Sequence, residues 1–321
     1  MISRRDDQGV TRHTPTLAGL AVVVLWASAF PAIRVAVPEF GAVGLSFVRL
    51  AIAAVALVLV GIRMRIRPPR FADLGWVAAC GVTGMATYQL LLNWGELHVP
   101  AGTASIIVSA APLVSVVVAR VLFAERIPVV VGVGSVVALA GVAVVCLARS
   151  GIGFGAAAWV VVAAMVVQGI YHPLQKPLLR KYTSIEVATS CMVAGVVMTL
   201  PLVPVDWARL VHVDAAGWLS AAYLGLLPSA LGFVLWAYAV GRMPVALSTS
   251  LLYLVPPVAV LISWAWLGEV PTPQEAIGGV IVLLGVALVS QGGRPRRAVG
   301  RRDAAGVPVG WDRSRRVRNR R

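Results

Sequence analysis

The chain has 321 residues, of which 59% are hydrophobic and only 13% charged, with a net charge of +15 and a mean hydropathy of +0.86. A water-soluble domain carries about 25% charged residues, so a soluble globule is excluded and the bilayer is the relevant solvent. Nucleic-acid binding is excluded too: eleven arginines lie between Arg294 and Arg321 and four between Arg63 and Arg70, where they flank apolar runs and mark a cytoplasmic membrane surface with anionic headgroups.

Residues 1–15 are polar, with no cleavage pattern after the first apolar run, and are expected to form a cytoplasmic N-terminal tail. The first helix, 16–36, carries Trp26, Pro31 and Arg34, and the second, 41–61, carries Arg49 within its apolar stretch. The third, 74–95, holds Tyr88, Gln89 and Asn93, with Glu96 at its end and within reach of Arg34. The fourth, 101–123, has Pro112 near its middle and is followed by Glu125; the fifth, 128–148, is marked by Gly132, Gly134 and Gly141. The sixth, 153–175, ends on Gln168, Tyr171, His172 and Pro173, and the seventh spans 185–204. The eighth, 217–240, contains Trp236 and Tyr238; the ninth, 244–267, contains Ser250, Tyr253 and Pro256 and precedes Glu269. The tenth, 275–292, repeats the glycines as Gly278, Gly279 and Gly285. Continuous apolar runs of about 18 residues or more, without strict alternation, predict spanning helices rather than a barrel. Residues 292–321 are expected to be a basic, disordered cytoplasmic tail.

With the N-terminus inside, 22 of the 28 Lys and Arg residues fall on the cytoplasmic side and only Arg149 and Arg209 outside, which places both termini in the cytoplasm of an inner-membrane, multi-pass protein. The halves also resemble one another. A shift of 144 residues lays Pro100 on Pro244, Pro112 on Pro256, Glu125 on Glu269, Gly134 on Gly278 and Gly141 on Gly285. Each half holds five helices, 16–148 and 149–291. An odd number inserts the second copy upside down, so the expected fold is an all-α integral membrane protein of ten helices in two inverted five-helix repeats.

The segments LWASAFPAIRVA (25–36), FVRLAIAA (47–54), ASIIVSAAPLVSVVVARVLFAERI (104–127), STSLLYLVPPVAVLISWAWLGEV (248–270) and GGVIVLLGVALVS (278–290) carry a family likeness. Over residues 16–291 the chain resembles the EamA-type permeases of the drug/metabolite transporter superfamily, with two EamA repeats. The resemblance implies a permease with both termini inside and a central cavity between the halves, in a family that exports amino acids, drugs and metabolites and includes importers. Its motifs fall on Trp26, Arg34, Arg49, Pro112 with Glu125, and Pro256 with Glu269. Arg126 follows the first glutamate and Val270 the second, so the two copies differ there.

Mid-helix amides and aromatics are the expected cavity lining: Trp26, Tyr88, Gln89, Asn93, Gln168, Tyr171, His172, Trp236, Ser250 and Tyr253. An amide in hydrocarbon needs a partner, either across helices or in a substrate. Arg49 either attracts a carboxylate-bearing substrate or serves as a structural pair or snorkelling cation. Pro31, Pro112, Pro173 and Pro256 are candidate kink and gating positions, and Glu125 and Glu269 either gate or anchor loops. No carboxylate lies deep in a helix. The glycines of the fifth and tenth helices allow close approach, within the bundle or across a homodimer. Cys80, Cys146 and Cys191 read as buried hydrophobes, and no catalytic constellation, metal cluster, cofactor motif or nucleotide-binding loop is present in the sequence. The expectation is a secondary transporter exporting small organic solutes by alternating access. The alternatives are an importer of the same fold and a non-transporting receptor or scaffold.

Overall fold

The computed structural model describes residues 6–123, 128–148, 155–243 and 245–292, and all regular structure among them is helical. In chain order the α-helices are α1 (Asp6–Met64), α2 (Leu74–Cys80), α3 (Tyr88–Glu96), α4 (Ala101–Val108), α5 (Ala111–Phe123), α6 (Val129–Ala148), α7 (Gly155–Leu174) and α8 (Lys176–Leu179). They continue with α9 (Ser184–Thr199), α10 (Trp207–Leu210), α11 (Ala215–Leu224), α12 (Gly232–Arg242), α13 (Val245–Leu251), α14 (Val255–Leu267) and α15 (Pro273–Gly292). Five runs are long and apolar enough to cross a bilayer: Thr14–Met64, Ala101–Phe123, Ala156–Leu179, Ser184–Val205 and Ala215–Arg242. Three shorter apolar helices accompany them: Val129–Gly141, Leu252–Leu267 and Pro273–Gly285.

The Thr14–Met64 run would be about 75 Å long if straight, more than twice a hydrocarbon core of roughly 30 Å. It is broken at Gly41, whose φ of 72° and ψ of 167° are not helical. Trp26 and Arg49, on opposite sides of that break, both reach the adjacent residues Pro228 and Ser229, so the two limbs lie side by side. A Cβ on Gly41 would overlap the Asp206 carboxyl group, which accepts from the Val43 and Gly44 N–H groups at 2.9 and 3.1 Å and so satisfies the start of the second limb. Helix begins at Asp6, inside the segment read from sequence as a tail.

The sequence repeat has a structural counterpart. A π-helical segment, Gly81–Thr87, joins α2 to α3, and a second, Gly225–Leu231, joins α11 to α12, 144 residues later. The same interval carries α6 onto α15 end to end, and α5 onto α14. The helix containing Pro112 is interrupted at Ser109 and Ala110; its counterpart is interrupted by the 3₁₀ turn Leu252–Leu254. Pro112 and Pro256 therefore stand just after a break in the middle of a longer helical run. Each is the second residue of a new helix, where a missing N–H costs nothing. Pro31 and Pro173 do lie within helices.

The glycine stripes pack inside the chain, α6 against α15. A Cβ on Gly141 would stand 2.6 Å from the Val282 nitrogen and 2.7 Å from the Gly278 oxygen; one on Gly285 would meet the Ala138 nitrogen and stand 2.6 Å from the Gly134 oxygen. These contacts are reciprocal under the 144-residue shift, as at an isologous two-fold interface.

Candidate functional site

A cavity lies at the centre of the bundle, with a free volume of about 50 Å³, enough for a few waters. Its walls come from both limbs of α1, from α3 to α5, α7, α12 and the Leu252–Val255 turn. Trp26, Phe30, Ile33, Leu92 and Phe233 make it apolar, and Arg49, Tyr88, Gln89, Ser105, Ser109, Gln168 and His172 add polar groups. Six sequence-predicted residues are thus brought together: Trp26, Arg49, Tyr88, Gln89, Gln168 and His172.

The second π-helical segment anchors the first two. Trp26 Nε1 donates to the Pro228 carbonyl at 3.0 Å, and Arg49 Nε and Nη2 each donate to Ser229 Oγ at 3.3 Å. Pro228 has no N–H to give to the helical ladder, although the same π-helical turn recurs at Gly81–Thr87 without a proline. Ser229 was not singled out from sequence, although a proline inside an apolar run was the available signal. Arg49 is only 4% exposed and therefore does not snorkel. Its Nη1 has no hydrogen-bond partner among the described residues, nor have either amide atom of Gln89, Gln168 Oε1 or either ring nitrogen of His172. Buried polar groups are satisfied in more than about nine cases in ten, so four under-satisfied side chains around one cavity are an unusual concentration.

The other candidates stand outside the wall. Asn93 Nδ2 donates to Ser46 Oγ at 2.8 Å, an interhelical bond that leaves Oδ1 unpartnered. Tyr171 packs over Gly84, and its hydroxyl reaches Gln175 Oε1 at 3.5 Å. Trp236 is fully buried behind the cavity, with its ring 5.4 Å from Trp26 and 4.9 Å from His172. Tyr253 is buried within the Leu252–Leu254 turn, and its hydroxyl has no hydrogen-bond partner among the described residues. The side chain of Ser250, that of Cys146 and all of Glu125 and Arg126 lie outside the described residues. Cys80 and Cys191 are buried free thiols.

Two carboxylates at helix ends are buried, and the expected Arg34–Glu96 pairing is corrected. Glu96 is fully buried, and neither carboxylate oxygen has a hydrogen-bond partner among the described residues. Glu275 is 1% exposed, with Thr103 Oγ1 donating to its Oε1. Both stand at helix ends, and neighbouring helices enclose them. Arg34 pairs not with the Glu96 carboxylate but with Glu269, at 3.5 Å, while its Nη1 donates to the Glu96 main-chain carbonyl. Glu269 also accepts from the Ala101 N–H at 3.1 Å, tying α14 to the start of α4.

This cluster closes one end of the bundle. At the other end of the helical run Leu74–Glu96, Lys181 Nζ lies 2.6 Å from Asp73 Oδ1 and the Tyr182 hydroxyl donates to Asp73 Oδ2 at 2.8 Å. Beside them Arg67 pairs with Glu186 at 3.3 Å. Polar links between the two halves therefore stand at both ends of a small central cavity. The Lys181 ammonium, then the Tyr182 hydroxyl, hold the Asp73 carboxyl below its ordinary value of 3.8. A depressed folded-state pKa contributes stability above the unfolded value and loses it as pH falls through the folded one. The link is therefore expected to be intact at neutral pH and to open only below about pH 4. Asp73→Asn should reproduce the acid state at pH 7, speeding amide exchange around 70–73 and 181–183 after correction for intrinsic rates. Unchanged protection in this variant would show that the carboxylate holds nothing shut.

Apolar helices traversing a bilayer several times, packed around an enclosed polar site, define a multi-pass membrane transporter. The EamA-like transporter family matches residues 14–147 and 155–291, and the chain belongs to that family. Its members move solutes and are not enzymes. The chain is 50% identical over 286 residues to a probable terminal-alkyne amino-acid exporter of Streptantibioticus cattleyicolor, covering 89% of this chain and 95% of that one. It is 32% identical over 266 residues to the uncharacterized transporter YdfC of Bacillus subtilis, covering 83% and 87% of the two chains. A crystal structure 20% identical in sequence superposes with a TM-score of 0.62 over 86% of this chain and 97% of its own, a likeness of fold.

Proposed function

We propose that the protein exports a small amino-acid-like solute by alternating access between two inverted five-helix repeats, 16–148 and 149–291, with both termini cytoplasmic. The observation that carries this reading is the central cavity, where an unpaired guanidinium and three under-satisfied polar side chains sit among aromatic and aliphatic walls. An amino acid offers a carboxylate to Arg49 and further hydrogen-bonding groups to Gln89, Gln168 and His172. Its side chain then lies against Trp26, Phe30 and Phe233. A linear, weakly polar terminal alkyne suits such a wall, in keeping with the description of the 50% identical exporter.

Alternation is supported by the paired irregularities 144 residues apart and by the reciprocal α6–α15 contact, since two similar halves can exchange conformations. The Arg34–Glu269 and Asp73–Lys181 links would open alternately, and the small cavity, with both links closed, would represent a contracted, substrate-free state between them.

Counterflow in proteoliposomes tests this reading. A terminal-alkyne amino acid is expected to exchange, its saturated analogue more weakly, and the corresponding amine without its carboxylate not at all. Equal flux of amine and amino acid would overturn the assignment to Arg49, and no flux of any amino acid would overturn the substrate class. A C-terminal reporter active only outside the cytoplasm would overturn the topology.

A further inference from the structure

A second, larger cavity of about 430 Å³ lies away from the central one, between the end of α1, the loop 65–70 and α9. Val58, Ile62, Leu74, Val77, Val193 and Ala194 form its walls. Ile62 is 70% exposed, and Val58, Leu74 and Val193 are exposed as well, so the groove opens sideways on a surface that faces acyl chains in a multi-pass membrane protein.

Its mouth is cationic. Arg65 and Arg67 line it, and Arg63 and Arg70 belong to the same short segment. The two carboxylates near this segment are both already engaged: Glu186 with Arg67, and Asp73 with Lys181. Arg63, Arg65 and Arg70 are exposed and make no ion pair among the described residues. The backbone is shaped to hold this rim. Arg65 has φ 54°, a left-handed conformation disfavoured for a residue with a Cβ, and the Ile66 N–H bonds back to the Gly61 carbonyl at 3.0 Å. That turn ends α1 and swings the arginines across the polar end of the groove.

We infer that this groove binds one anionic phospholipid, with an acyl chain along the aliphatic wall and the phosphate on the arginine rim. Neither half of the site explains the other without such a ligand. A free anion would leave the apolar wall unused, and a zwitterionic lipid would not compensate the unpaired arginines.

Native mass spectrometry of the purified full-length chain tests this with phosphatidylglycerol and phosphatidylcholine of identical acyl chains. Phosphatidylglycerol is expected to bind at least about 10-fold more tightly. Two variants separate the groove from the arginine-rich C-terminal segment, which both retain. The triple variant Arg63→Gln, Arg65→Asn, Arg70→Gln removes the free charges, asparagine being the replacement that tolerates a left-handed backbone. Val193→Trp fills the groove and leaves every charge in place. Each should lose most of the phosphatidylglycerol preference while keeping the wild-type melting temperature in phosphatidylcholine. If Val193→Trp does not fold, Val58→Phe makes the same test from the opposite wall. Unchanged preference in both variants would overturn the site. Loss in the charge variant alone would reduce it to diffuse surface attraction, and full displacement by millimolar inorganic phosphate would reduce it to an anion site. Both of those results also overturn the inference.

Discussion

Arg49→Gln is expected to raise the KM for transport roughly 30- to 150-fold, the equivalent of losing a charge-assisted hydrogen bond of about 2–3 kcal/mol in a dry site. The fold should survive. Arg49 is held only by two long bonds to one serine hydroxyl, and Nη1 has no partner among the described residues. Glu96 acts on it electrostatically, but no carboxylate is paired with it among the described residues. Removing an under-compensated buried charge relieves a desolvation cost, so the melting temperature should stay level or rise. A purely structural arginine would behave oppositely, losing stability with KM unchanged. Arg49→Lys keeps the charge without the planar fork and should recover part of the affinity. Transport kinetics in proteoliposomes at matched protein density, read beside thermal unfolding, decide between the two roles. Equal KM in all three proteins would remove Arg49 from the substrate path.

Gly141→Ala and Gly285→Ala should each destabilise the protein by about 1–3 kcal/mol, the range for forcing an extra methyl into a packed core. In both cases the new methyl meets backbone of the facing helix, which cannot rotate away as a side chain could. Because the contacts are reciprocal, the two losses should be similar in size. The double variant should cost less than their sum, since one outward shift of α15 from α6 relieves both clashes. Gly132→Ala is the control on the same helix. Gly132 is exposed with nothing within 4 Å of its added Cβ, and alanine there should be neutral or mildly stabilising. Thermal unfolding in detergent checks all four. A Gly141→Ala protein as stable as the Gly132→Ala control would show that α6 and α15 do not pack this closely.

Much of the architecture is legible in the sequence. Helices follow from the bilayer, which leaves backbone groups no partners except within the segment. The doubled pattern of Pro100, Pro112, Gly134 and Gly141 against Pro244, Pro256, Gly278 and Gly285 reports duplication because it keeps its register without gaps. Trp26, Arg49, Tyr88, Gln89, Gln168 and His172 were recognisable as lining because a polar or charged group in an apolar run has few other places to go. The same logic did not separate them from Asn93, Tyr171, Trp236 and Tyr253, which are equally buried but turned toward neighbouring helices.

What composition and spacing determined, then, is a duplicated helical membrane protein and the set of polar residues it must bury. Only the tertiary structure decided their partners. Periodicity is local, whereas Arg49 and Ser229 are separated by 180 residues, and Arg34 meets Glu269 rather than the nearer Glu96 carboxylate. The π-helical turn at Pro228, the breaks before Pro112 and Pro256 and the burial of Glu96 all depend on which helices come to lie side by side. That choice is made by packing across the whole bundle, from both limbs of α1 against their neighbours to the Gly141 and Gly285 contacts, where absent side chains let two backbones touch.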